Sequence, residues 1–169
     1  MATTLRSVLL RSAAGAVLVL SGCGDGISAR DESTADIYAV AIRWLVEDAS
    51  DPGIETVFVE GVGDEAIALG VEVEVVNRLQ DALTIRFIDS RDEAIDISEP
   101  GDPVRDDGVL VGLGSLPDAE RPPVRLYVDR YRNVHEVAAY EVVLDRRGGN
   151  WRVTGDPTPV PVEHDRASP

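Results

Sequence analysis

A chain of 169 residues is enough for one domain of ordinary size, and its 44% apolar and 28% charged residues allow a packed core with a soluble surface. Its 31 acidic residues face 16 basic ones, all of them Arg, for a net charge of −15, and this balance excludes a DNA- or RNA-binding module whose affinity would rest on neutralising phosphates. A single Cys excludes a disulfide framework and a zinc site built on Cys.

The first elements are for targeting. Arg6 and Arg11 give a positive start with no acid before Asp25, and the apolar run Ala13 to Leu20 follows. These are the parts of a secretory signal peptide. Eight apolar residues rise about 12 Å as a helix, far short of a ~30 Å hydrocarbon core, so the run is too short to span a bilayer. Ser21 and Gly22, both small, then precede Cys23. Leu20-Ser21-Gly22-Cys23 resembles the lipobox of bacterial lipoproteins: a Leu, two small residues and an obligatory Cys. The resemblance implies that the signal 1–22 is cut just before Cys23 and that the Cys23 thiol carries a diacylglycerol. It further implies a protein anchored in the cell membrane by lipid, on the extracytoplasmic face. Cleavage takes away Arg6 and Arg11 and no acid, leaving 14 Arg against all 31 acids, a net charge of −17.

Cys23 to Ser33 reads as lipidated Cys and tether, polar and Gly-containing. Ten flexible residues have an r.m.s. span of about 17–19 Å. That exceeds a Debye length of about 8–10 Å, so an acidic domain is expected to stand off an anionic bilayer.

The domain is expected over residues 34–156. Thr34 is the expected cap of a first helix, with Ile37, Val40, Ala41, Trp44 and Leu45 at helical spacing and Asp51-Pro52-Gly53 as its stop. Thr56 to Glu60 reads as a strand and Gly61 to Gly70 as a loop. In GVEVEVVNRLQDAL, Val71, Val73 and Val75 alternate as in a strand, while Val71, Val75, Leu79 and Leu83 repeat as in a helix; length and the polar second half favour the helix. Thr84 to Ile88 is a second strand. Ser90 to Asp107, acidic and holding Pro100, Gly101 and Pro103, reads as a long surface loop.

From Val109 onward the pattern is all-β. Val109, Val111 and Leu113 alternate, then Val124, Leu126 and Val128, then Tyr140, Val142 and Leu144, and Trp151 with Val153 begins a last strand. Gly148-Gly149 supplies the positive φ angles of a tight hairpin. Pro157 to Pro169, with four prolines, reads as a disordered tail. Helices first and a meander afterwards predict an α+β fold, with two helices on a curved antiparallel sheet of about five to six strands. That order, with Tyr140, Gly148, Gly149, Trp151 and Val153 in the last hairpin, resembles the NTF2-like and cystatin-like α+β rolls. The resemblance concerns fold and carries no catalytic group.

Three constellations bear on chemistry. Gly61-Val62-Gly63-Asp64-Glu65-Ala66 fits G-x-G-x-x-G/A, and Asp89 ends the next strand where a dinucleotide fold places its ribose ligand. Asp64 and Glu65 would oppose a pyrophosphate, so a connecting loop and no cofactor are expected. Asp89, Asp92, Glu93, Asp96, Glu99, Asp102, Asp106 and Asp107 are carboxylates suited to calcium, but their spacing is not that of an EF-hand and a solvated loop is expected. His135 and His164 form no local pair, and no G-x-S-x-G, S-x-x-K or H-E-x-x-H occurs. Asp129 and Glu141 are the candidates for a carboxylate pair, yet each alternates with apolar neighbours and is expected to face solvent. Trp44 and Trp151 are expected as core anchors.

The sequence therefore favours a lipid-anchored, non-enzymatic binding or interaction module with no catalytic, cofactor or metal residues. Its partners are the membrane and an unknown protein or small ligand, with no nucleic acid. The alternative is a small-pocket NTF2-like enzyme or ligand carrier, which requires a deep apolar pocket holding a carboxylate.

Overall fold

The computed structural model describes residues 27–48, 53–63 and 66–162. The expected signal peptide 1–22, Cys23 with its expected lipid, Asp64-Glu65, the first two residues of the Asp51-Pro52-Gly53 stop and the tail beyond 162 lie outside them.

The first helix, α1 (Ala29–Asp48), starts five residues before the expected Thr34. Ser28 and Asp31 explain the difference. The Ser28 hydroxyl accepts the Asp31 N–H at 3.1 Å and donates to the Asp31 carboxylate at 2.8 Å, a cap on an otherwise orphaned donor. Thr34 instead donates to the Arg30 carbonyl one turn back, at 3.0 Å. The expected tether therefore loses Ala29 to Ser33 to the helix, and the buried Ser33 hydroxyl ties α1 to the Ala119 carbonyl at 2.7 Å.

β1 (Thr56–Val62), α2 (Leu69–Leu79) and β2 (Thr84–Phe87) follow. Val71, Val75 and Leu79 of α2 are buried, the helical repeat expected of this segment. After a long connection come β3 (Val109–Gly114), β4 (Val124–Asn133), β5 (Glu136–Arg147), β6 (Asn150–Val153) and the two-residue β7 (Thr158–Pro159). The strand order is β2-β1-β3-β4-β5-β6, with β7 beside β6 on the same edge of β5.

The fold is α+β, two helices on a curled sheet. The sheet is mixed, whereas a wholly antiparallel one was expected. β1 pairs parallel with both β2 and β3, and the antiparallel meander holds from β3 onward. The parallel part follows from the connections: parallel neighbours need a crossover, and α2 supplies one of the two. Residues 157–160 are also ordered, a correction to the disordered tail. Thr158 and Pro159 pair with Glu141 and Tyr140, and the Val160 N–H donates to the Ala139 carbonyl at 3.0 Å. An outer strand tolerates the prolines because their missing N–H would have faced away from β5.

The two sheet faces differ. On one, Val57, Val59, Val111, Leu126 and Val142 meet Ile37, Ile42 and Leu45 of α1, all at most 2% exposed. Trp151 is buried there, and Trp44 meets the Tyr140 ring edge-on at 5.4 Å. The opposite face is covered by the connection 88–108, whose Ala94 and Val104 bury against Phe58, Leu110 and Tyr131. The expected surface loop is thus a crossover with an apolar underside. This double cover explains why every residue of β3 is buried.

Candidate functional site

The crossover brings together residues far apart in sequence. Glu60 on β1 pairs in register with Gly112 on β3, and Gly112 with Asp129 on β4, so one row of the sheet reads carboxylate, glycine, carboxylate. Arg91 descends onto this row from the first turn of the crossover, Arg91–Glu93, which Ser90 and Glu93 close as a capping box. Its Nε donates to Glu60 Oε1 at 2.8 Å, and its Nη2 lies 4.0 Å from Asp129 Oδ1. The guanidinium also stands 5.7 Å from the Tyr131 ring centre, a cation–π distance. Tyr131 in turn donates its hydroxyl to the Asp102 carbonyl at 2.8 Å, holding the far end of the crossover. Burial and the nearby Asp102 push the Tyr131 hydroxyl above its usual range, so it stays a donor at neutral pH.

Asp129 is only 3% exposed, which corrects the expectation that it faces solvent. Alternation along β4 does point it away from the helices, but that side is the one the crossover covers. Gly112 makes room for it. A Cβ at residue 112 would lie 2.6 Å from Asp129 Oδ1 and 2.7 Å from Val62 Cγ2. Glu141, the other candidate, lies at the surface and pairs with Arg125. The two proposed carboxylates therefore do not face each other; Asp129 is partnered across the sheet by Glu60 through Arg91.

Beside this row, at the C-terminal ends of β1 and β2, lies a cleft of about 280 Å³ lined by Glu60, Gly61, Gly63, Ile67, Glu72 and Asp89. The G-x-G-x-x-A stretch maps here, in a genuine strand–helix–strand unit, the place where α/β sheets hold ligands. Its electrostatics are those of an acidic cleft. Burial and the charge of Asp89 raise the Glu72 pKa, as like charges disfavour ionisation. A phosphate would meet Glu72 and Asp89, with Glu60 already holding Arg91, while a cationic group would be attracted.

The rest of the acidic segment is spent on turns and surface pairs. Asp96 takes both the backbone N–H and the hydroxyl of Ser98, which lower its pKa, and Asp106 pairs with Arg86 at 2.7 Å. Asp102, Asp106 and Asp107 adopt positive φ, a conformation Asp tolerates better than most residues. Among the described residues no group of three or more His, Cys, Asp or Glu is arranged to hold a metal. His135 sits exposed in the β4–β5 turn.

A second depression, about 370 Å³, lies between α1, α2 and the β5–β6 hairpin, with Trp151, Ala39, Arg43 and Arg78 on its walls. Arg78 is engaged there by Asp36 at 2.7 Å and Glu74 at 2.6 Å.

Sequence reasoning missed Arg91, Gly112 and Tyr131. Gly112 had a signal: a lone Gly inside the apolar run VLVGLG marks a close approach. Arg91 had none, because its role depends on the path of the crossover.

Comparison with protein-family models, curated proteins and solved structures finds no match to this chain. Among the described residues no helix is long and apolar enough to cross a membrane.

Proposed function

We propose that this chain is a membrane-anchored extracytoplasmic lipoprotein whose α+β domain is a non-enzymatic binding or interaction module. The observation that carries the reading is Leu20-Ser21-Gly22-Cys23 at the end of an apolar run, in a chain with no other Cys. The helical domain begins at Ala29, so the anchor and the folded unit are joined by very few residues.

The binding-module half rests on how the sheet is filled. The face that would enclose a cavity in a roll-like enzyme or carrier is occupied by α1 side chains, with Ile37 and Ile42 fully buried against it. The buried carboxylate Asp129 lies on the opposite face with Arg91 against it, which suits a structural lock better than proton transfer. The acidic cleft around Glu60, Glu72 and Asp89 is the surface best suited to a ligand, and its chemistry favours a cationic group on a protein or small molecule.

Metabolic labelling with a fatty acid tests the anchor. The wild-type chain takes up the label and the Cys23→Ala chain does not, remaining as uncleaved precursor. Label retained by Cys23→Ala would contradict the reading.

A further inference from the structure

The first two turns of α2 carry a feature that the core does not need. Leu69 is 73% exposed and Val73 is 50% exposed. They stand one turn apart on one face, while Val71, Val75 and Leu79 bury the other. Ala66, Ala68 and Gly70 beside them are exposed too, and from Ala66 to Val71 the chain has no charge. In a chain of net charge −15, this is an unusual surface on which to leave charge out.

Its place in the fold gives it an occupant. Ile27 packs on α2 at Gly70, within 4.0 Å of where a Cβ there would stand, and Asp36 of α1 meets Arg78 of α2 at 2.7 Å. Both contacts advance along the two helices together, so α1 and α2 run in the same direction and begin at the same end. Cys23 is four residues before Ile27, a reach of at most about 14 Å even fully extended. The headgroup layer of each leaflet is about 5–8 Å deep. A lipid on Cys23 thus keeps the Leu69–Val73 end of the domain nearer the bilayer than the opposite end. With Ala29 to Ser33 in α1, the expected ten-residue tether is shorter, and the stand-off expected from it shortens with it.

We infer that the Leu69–Val73 ridge, flanked by Ile27, dips into the boundary between headgroups and acyl chains of the membrane that holds Cys23. The inference rests on the lipid-anchor reading. Asp31, Glu32 and Glu72 in the first turns of the two helices, with Asp89 in the cleft beside Ala66 and Ile67, oppose an anionic surface, and the two positive helix ends with Arg30 offset them only in part. The ridge therefore engages because the anchor delivers it there, as a second signal beside the lipid.

The test uses the full mature protein purified from cell membranes and placed in vesicles of equal phosphatidylethanolamine and phosphatidylglycerol. Acylation blocks the only native thiol, so Leu69→Cys, Val73→Cys or Asp81→Cys each adds a single site for an environment-sensitive dye. Dyes at 69 and 73 are expected to shift to the blue and to be quenched about twofold more strongly than at 81 by nitroxides on shallow acyl carbons. Equal quenching at all three sites, with the acyl mass found on Cys23, would overturn the ridge and leave the anchor standing. A blue shift that ignores the nitroxides and grows with protein density would put a second copy on the ridge, overturning the inference. Protein lacking an acyl mass on Cys23 would overturn the anchor and the ridge together.

Discussion

Glu60 and Asp129, sixty-nine residues apart, flank Gly112 in one row of the sheet, and one guanidinium, that of Arg91, reaches toward both. The contact pins the crossover that covers this face. Asp129 has a side chain 4% exposed, so its charge is expensive without a cation near it. Arg91→Met is expected to destabilise the domain by about 2–3 kcal/mol, less than a fully buried pair because Glu60 and Arg91 keep some solvent. Urea unfolding checks this: the midpoint falls and the slope stays constant. An unchanged midpoint would mean the pair contributes nothing.

Gly112→Ala places a methyl group 2.6 Å from Asp129 Oδ1, and the cost is expected at about 1–3 kcal/mol. The same change in an Asp129→Ala background is expected to cost less, because one of the two clashing groups is gone. A double-mutant cycle measures that coupling. Additive effects would show that the Val62 clash alone decides the site.

The start of α1 separates two residues that look alike in sequence. Ser28→Ala removes a cap and is expected to lower stability by about 1 kcal/mol, whereas Thr34→Ala is expected to stay within about 0.5 kcal/mol. The comparison is made by thermal unfolding of the two variants side by side. The reverse order would restore Thr34 as the cap.

Glu72 carries a pH dependence of known sign. Its pKa is raised in the folded state, by burial first and Asp89 second, so the folded chain binds that proton more tightly than the unfolded one. Its contribution favours folding at low pH and is lost as pH rises through the folded value. Glu72→Gln is therefore expected to stabilise the protein at pH 7, by about 0.5 kcal/mol for a partly exposed group, and to have no such advantage below the carboxylate range. Stability curves of both proteins between pH 3 and 7 would show a constant gap if the account is wrong.

The acidic cleft makes a further statement. Millimolar NAD or FAD is expected to leave the melting temperature unchanged, since Glu60, Glu72 and Asp89 line the place where a pyrophosphate would lie. A reproducible rise that disappears in Gly63→Val would return the G-x-G-x-x-A stretch to a dinucleotide role.

Local pattern carried most of the elements. The helical repeat of Val71, Val75 and Leu79 and the alternation of Val124, Leu126 and Val128 both stand in the fold, because burial on one side writes itself into spacing. The parallel pairings of β1 were not legible, since nothing local tells a strand which neighbour it will take. The burial of Asp129 was hidden for a related reason. Alternation assigns a side chain to a face, and only the path of residues 88–108 decides whether that face is wet. Ser28 with Asp31 was legible and overlooked, since the polar run around them reads equally well as a tether.

The anchor is tested most directly by the mass of the mature N-terminus in protein extracted from membranes. The mature chain is expected to begin at Cys23 and to carry a diacylglycerol on its thiol. A mature chain that starts elsewhere, or a Cys23 with a free thiol, would contradict the anchor.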